Sequence, residues 1–135
     1  MVFVVDSCRN LHAIDSQTGA LIWKAQVGGS TAPPVIHEDS VLVASTDKVV
    51  RRLRAVDGTQ IGSYQTEGTL ASAPVVADGK LYQGAKDGFL WVFELTTGKR
   101  LWRFETGGPI LTSPVIVDEH VLVVSSDKQV YLFQK

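Results

Sequence analysis

The chain has 135 residues, 44% hydrophobic and 20% charged, with 13 basic and 14 acidic side chains and a net charge of −1. This apolar fraction excludes a disordered segment, and the even charge balance excludes a general nucleic-acid or membrane-surface binder. No apolar run approaches the roughly 18 residues of a membrane-spanning helix, and the single cysteine, Cys8, cannot build a disulfide framework or a cysteine-based zinc site.

Along the chain, short β-type segments alternate with turns. Val2-Phe-Val-Val-Asp6 opens the series. It is too short for the apolar core of a signal peptide and runs directly into an aspartate. Leu11–Asp15 and Leu21–Gln26 follow, then Pro34-Val-Ile, Val41-Leu-Val-Ala-Ser-Thr-Asp47, Leu53–Asp57 and Ile61–Gln65. The second half reads Pro74-Val-Val, Leu81-Tyr-Gln-Gly-Ala-Lys-Asp87, Leu90–Glu94, Leu101–Glu105, Pro114-Val-Ile, Val121-Leu-Val-Val-Ser-Ser-Asp127 and Val130–Phe133. These runs are rich in β-branched and aromatic residues, and Asp39-Ser40, Asp78-Gly79, Asp87-Gly88 and Thr97-Gly98 separate them as turns. No segment keeps a helical period long enough to predict a helix.

The segments recur. Val41, Leu81 and Val121 begin equivalent runs 40 residues apart, and the Pro34, Pro74 and Pro114 segments keep the same spacing. Four short strands per repeat, named A to D in chain order, is the pattern of one propeller blade, which must stack on its neighbours to bury both faces. The fold predicted is all-β: a propeller arc of about 3.4 blades, with 14 strands in repeats of approximately 2–40, 41–80, 81–120 and 121–135.

One unit recurs with a physical meaning. Gly19 and Gly98 close the turn between strands C and D, where positive φ is needed. Asp15 can accept hydrogen bonds from the backbone of that turn. Trp23 and Trp102 on strand D offer a flat apolar face to the adjacent blade, and Tyr64 takes the corresponding place in the middle repeat, beside a turn that reads as shortened. All six residues are assigned to blade docking.

Ala13-Ile-Asp15-Ser-Gln-Thr18-Gly19-Ala-Leu-Ile-Trp23 resembles the repeat motif of the pyrroloquinoline-quinone-like β-propellers, A-x-D-x-x-T-G-x-x-x-W, at all five marked positions. Thr97, Gly98 and Trp102 match it in the third repeat, and Ala73-Pro74-Val75 and Ser113-Pro114-Val115 fit the family's entry to strand A. WD40 propellers are excluded as the closer pattern because no Trp-Asp dipeptide occurs. The resemblance implies a ring of seven or eight blades. This chain is then either a piece of a longer protein or one half of a ring completed by a second copy.

Some members of that family are dehydrogenases that hold the quinone and a calcium ion with a vicinal disulfide, a glutamate, an asparagine and an aspartate. Here no cysteines are adjacent, and the only asparagine, Asn10, lies in a hairpin. No catalytic, cofactor-binding or metal residue is therefore assigned. His12 is read as a strand residue aligned with Arg54, Trp91 and Tyr131. His37 and His120 fall in turns between strands A and B, where Asp39, Asp78 and Asp118 also recur. Lys48-Val-Val-Arg51-Arg52-Leu-Arg54 reads as a hairpin with about three extra residues, whose arginines Arg51, Arg52 and Arg54 are candidates for contact with an acidic partner. The connections Gly28–Thr31, Gly68–Ala71 and Gly107–Ile110 form a second candidate surface.

The resemblance implies a non-catalytic scaffold for protein–protein contact, similar to the propeller lipoprotein of the outer-membrane β-barrel assembly machinery, with no cofactor, no nucleic acid and no membrane insertion. It also implies a periplasmic or extracytoplasmic location. The rivals are a segment of a quinone-dependent dehydrogenase, with PQQ and calcium, and a small-ligand sensor at the funnel mouth.

Overall fold

The computed structural model describes residues 1–30 and 32–135. They form 14 strands in four antiparallel sheets, with no helix among the described residues. Blade 1 holds β1 (Val2–Val5), β2 (Asn10–Ile14) and β3 (Leu21–Gln26). Blade 2 holds β4 (Val35–His37), β5 (Ser40–Ala44), β6 (Val49–Arg54) and β7 (Gln60–Gln65). Blade 3 holds β8 (Val75–Ala77), β9 (Lys80–Gly84), β10 (Phe89–Glu94) and β11 (Arg100–Glu105). Blade 4 holds β12 (Val115–Val117), β13 (His120–Val124) and β14 (Val130–Gln134). Every strand pairs with its sequence neighbour, so each blade is an up-and-down meander. Blade 1 has strands B, C and D; blade 4 has A, B and C.

The cross-strand register corrects the alignment of the second repeat. Ser40, Lys80 and His120 each sit opposite the last residue of strand C paired with them, which is Arg54, Glu94 and Gln134 respectively. Arg54, not Asp57, is therefore the counterpart of Glu94 and Asp15. The predicted strand Leu53–Asp57 is instead Val49–Arg54, and Ala55–Asp57 belong to the turn. That turn is not shortened: Gly58 donates to the Arg54 carbonyl as Gly19 does to Asp15 and Gly98 to Glu94. All three glycines have φ near +75° (74°, 76° and 74°), the left-handed geometry that tolerates few side chains. The hairpin before Arg51 carries no insertion either, since Ser45–Val49 and Ala85–Phe89 close with the same bonds. The non-glycine residues with positive φ in the A–B turns are Glu38, Asp78 and Asp118, so Glu38 rather than Asp39 is the repeating position. His37 ends β4 and His120 begins β13, rather than lying in those turns.

Strand alternation gives each blade two faces. The leading face, toward the next blade, packs on that blade's trailing face at three junctions. Phe3, Val5, Leu11, Trp23 and Ala25 of blade 1 meet Val41, Val43 and Leu53 of blade 2. Leu42, Ala44, Val50 and Tyr64 of blade 2 meet Leu81, Trp91 and Phe93 of blade 3. Tyr82, Leu90, Val92 and Trp102 of blade 3 meet Val121, Val123, Tyr131 and Phe133 of blade 4. The core is thus three slabs between sheets. Leu70 and Ile110, from the D–A connections, plug the second and third slabs; Ile110 lies so near Gly84 that a Cβ there would be 2.3 Å from its Cγ2.

Each D–A connection is tied to two hairpins. Thr66 donates its amide and hydroxyl to Lys48 of the blade it leaves, and Lys86 of the next blade donates to the Thr69 carbonyl. Thr106 bonds Gly88, and Ser126 bonds Pro109, in the same way. Blade spacing is fixed by these bonds as well as by apolar contact.

The tryptophan on strand D closes its junction with a polar contact. Trp23 Nε1 donates to the Ala55 carbonyl at 2.8 Å, in the C–D turn of blade 2. A Cβ on Gly58 of that turn would stand 2.6 Å from the indole, so glycine there serves both φ and the approach of the ring. We expect Trp23→Ala to cost about 3 kcal/mol in urea unfolding followed by circular dichroism, near the low end for a large aromatic because the ring is only half-buried. Trp23→Phe keeps most of the area and loses the donor, so about 1 kcal/mol is expected. Equal losses for the two variants would show that the indole N–H contributes nothing.

Candidate functional site

The sequence-derived candidates divide between blade junctions and loop ends. Tyr64 is not at the tryptophan position. Trp23 pairs with Ala13 and Trp102 with Val92, but the equivalent pair in blade 2 is Gly62 with Arg52. Tyr64 sits two residues further along β7, opposite Val50, where blades 1 and 3 have Ala25 and Phe104. Its ring lies back over Gly62, and its fully buried hydroxyl donates to the Leu95 carbonyl in the C–D turn of blade 3. Leu95 and Ala55 are equivalent turn residues, so tyrosine reaches from a different position the same carbonyl that tryptophan reaches from blade 1. Burial raises the Tyr64 hydroxyl above its ordinary pKa. Trp102 is half-buried and packs on Phe133.

Asp15 accepts the amides of Gln17 and Thr18 at 2.8 and 3.1 Å and is thereby held below the usual carboxylate range. Glu94 instead accepts the Thr97 hydroxyl at 2.8 Å.

Arg51, Arg52 and Arg54 do not form one basic patch, because alternation sends Arg51 and Arg52 to opposite faces. Arg51 binds Asp47 through both terminal nitrogens, at 2.6 and 3.1 Å, and donates to the Val27 carbonyl of the preceding connection at 2.6 Å. Arg52 Nε donates to Ser40 Oγ at 2.9 Å. Arg54, which is exposed, pairs with Asp57 at 3.1 Å. Each of the three thus has at least one partner within its own blade, and Arg51 also ties the blade to the preceding connection.

The register also moves His12 into line with Arg51, not Arg54, and reveals a pattern the sequence did not disclose. The third residue of strand C carries a side chain that reaches an aspartate of its own B–C hairpin. His12 Nε2 meets Asp6 Oδ2 at 2.6 Å, Arg51 meets Asp47, and the Tyr131 hydroxyl, one place nearer the strand's start, meets Asp127 Oδ2 at 2.6 Å. The aspartate shifts by two positions in blade 1, where Cys8 stands at the place of Asp47 and Asp127; that shift concealed the equivalence. Trp91 takes the position in blade 3 and stacks with Phe93, with Arg103 5.4 Å from its ring centre.

Hairpin aspartates also lie against the D–A connections of blades 3 and 4. The Gly107 amide donates to Asp127 Oδ2 at 2.8 Å, and a Cβ on Gly107 or Gly68 would stand 2.5 Å from Asp127 or Asp87. Gly28–Ser30 lies in the first connection; Thr31 falls outside the described residues. Cys8 is exposed and free. Among the described residues, no three His, Cys, Asp or Glu side chains are grouped to hold a metal ion.

The family model described as outer membrane protein assembly factor BamB matches residues 1–72 and 63–135. The chain belongs to this family. Among curated proteins, it is 28% identical over 96 residues to the beta-alanine-activating enzyme of Danio rerio, covering 65% of this chain and 8% of that one. It is 25% identical over 97 residues to BamB of Shewanella oneidensis, covering 70% of this chain and 25% of that one. Among solved structures, BamB from Moraxella catarrhalis superposes over 98% of this chain and 42% of its own, with a TM-score of 0.85 and 26% identity. The quinohemoprotein alcohol dehydrogenase ADHIIG from Pseudomonas putida covers 79% of this chain and 19% of its own, with a TM-score of 0.71 and 22% identity, which shows the shared fold alone. The chain therefore spans a quarter or less of these two curated relatives.

The hairpin pairs carry a pH signature. The His12 hydrogen bond, with the Asn10 and Cys8 amides, lowers the Asp6 carboxyl from 3.8 to about 2. A carboxylate lowered in the folded state stabilises fully above its unfolded pKa and stops doing so as pH falls through the folded value. The Asp6 contribution is thus complete above about pH 4 and lost between about pH 4 and 2. Carboxyl-carbon NMR is expected to show a midpoint near 2, rising toward 3.8 in His12→Ala; an unchanged midpoint would remove His12 as the cause.

Proposed function

We propose that this chain is part of a non-catalytic propeller scaffold that contacts proteins during outer-membrane protein assembly and works outside the cytoplasm. The observation that carries this reading is a family match to an assembly factor running across the whole chain. The use of the polar residues supports it. The pairs His12–Asp6, Arg51–Asp47 and Tyr131–Asp127 recur at one end of three blades. A role repeated in successive blades is that of a structural clamp, whereas an active site breaks the repeat. The D–A connections, small and mostly uncharged, suit contact with a partner's backbone and shape better than chemistry on a substrate.

The second reading, a segment of a quinone-dependent dehydrogenase, draws on the shared fold. The two are separated by one pair of measurements. Photo-cross-linkers at Ser30, Thr69 and Gly108, in a Gram-negative cell that assembles outer-membrane proteins, are expected to trap components of that assembly. Absorbance titration of the purified chain with pyrroloquinoline quinone and calcium is expected to show no saturation. Saturable binding of the quinone, with no cross-link to an assembly component, would overturn the proposal in favour of the dehydrogenase.

A further inference from the structure

Each B–C hairpin holds one residue in the left-handed region: Arg9, Lys48, Gly88 and Lys128, with φ of 69°, 76°, 88° and 70°. In every blade its amide donates to the carbonyl three residues back, and in blades 1 to 3 its carbonyl accepts an amide from the end of strand D, at Val27, Thr66 and Thr106. The structural work of the position is thus done by the backbone. Gly88 does it with no side chain, and glycine is the residue this geometry favours. Three blades nevertheless place a long basic side chain there, and blade 3 carries Lys86 two residues before its glycine. A side chain kept in an exposed loop against the backbone preference points to a task for that side chain.

Arg9, Lys48, Lys86 and Lys128 are all exposed. The ion pairs among the described residues include none of the four. The hairpin carboxylates near them are engaged inside the blades: Asp6 with His12, Asp47 with Arg51 and Asp127 with Tyr131. From this we propose that Arg9, Lys48, Lys86 and Lys128 form a basic arc, one cation per blade, that docks an acidic stretch of a partner protein. The occupant is argued from charge. Separate cations, each within three residues of an aspartate in its own hairpin, match separate carboxylates on a protein. The unbroken negative charge of a lipid surface or a nucleic acid would meet those aspartates as well and be repelled by them. This docking adds a partner chemistry to the scaffold reading and is independent of which assembly the chain serves.

Contact and folding are separated by substitution with glycine, which suits the backbone and removes the charge. The full chain is titrated, with fluorescence anisotropy as the readout, into a labelled peptide of alternating glutamate and serine. Binding is expected, weakening as salt rises, with none for the same peptide carrying glutamine in place of glutamate. Arg9→Gly, Lys48→Gly and Lys128→Gly together are expected to weaken binding about tenfold, the sum over three exposed ion pairs, while the urea midpoint holds or rises. Lys80→Gln, Lys99→Gln and Arg100→Gln remove the same charge at the opposite end of the blades and are expected to leave binding unchanged. Equal binding of the two peptides, equal loss in the two variants, a glycine variant that unfolds at lower urea, or tighter binding to phosphatidylglycerol vesicles than to the acidic peptide would overturn the proposal. Cross-linking from the D–A connections is a separate readout, so failure here is distinguishable from failure of the scaffold reading.

Discussion

The structure depends on one constraint: a four-stranded sheet has two apolar faces and can satisfy neither by itself. Each blade therefore packs its leading face against the trailing face of the next, and nearly every fully buried side chain lies in one of three slabs between sheets. Apolar contact alone would let neighbouring sheets slide. The polar contacts that prevent sliding cross the junctions at fixed places: Trp23 to the Ala55 carbonyl, Tyr64 to the Leu95 carbonyl, and the D–A connections to the hairpins before and after them. Such bonds are worth about 1 kcal/mol each, but a carbonyl left buried without a donor costs more, which makes them selective for one register.

The polar side chains are plentiful, and those of the hairpins are engaged in holding loops in place. Asp47 and Asp127 each serve a strand C side chain and a hairpin amide, and Asp127 also takes the Gly107 amide of the incoming connection. A carboxylate so occupied orders loops and has little capacity left for a substrate.

Much of the architecture is legible in the sequence, because a 40-residue period in Pro-Val and Val-Leu-Val segments leaves few folds open. All four blades and their strand composition follow from it, as do the glycines of the C–D turns. The sequence misleads where a residue has moved within the repeat. Ring type matches Tyr64 to tryptophan, yet it stands at the Ala25 position and reaches over Gly62. Side-chain type matches Asp57 to Asp15, which displaces a strand by three residues and creates an apparent arginine-bearing insertion. In both cases side-chain identity outweighs hydrogen-bond register, and register is what the backbone obeys. The His12–Asp6 clamp is hidden for the same reason: the aspartate has shifted by two places, and only the fold shows that it meets the same partner.

The central claim is that the first two junctions are each closed by one aromatic donor on the outer strand, which reaches the C–D turn of the next blade from either of two positions. Exchanging those positions in blade 2 tests it most directly. Gly62→Trp alone should destabilise, since a Cβ there already meets the Tyr64 hydroxyl at 3.1 Å, and Tyr64→Ala alone should destabilise by opening a cavity. The double variant reproduces the Trp23 and Ala25 arrangement of blade 1. In urea unfolding its stability is expected to lie well above the sum of the two losses, with a coupling of about 1–3 kcal/mol. Strict additivity would contradict the account, because it would mean that tryptophan and tyrosine do not serve the same contact.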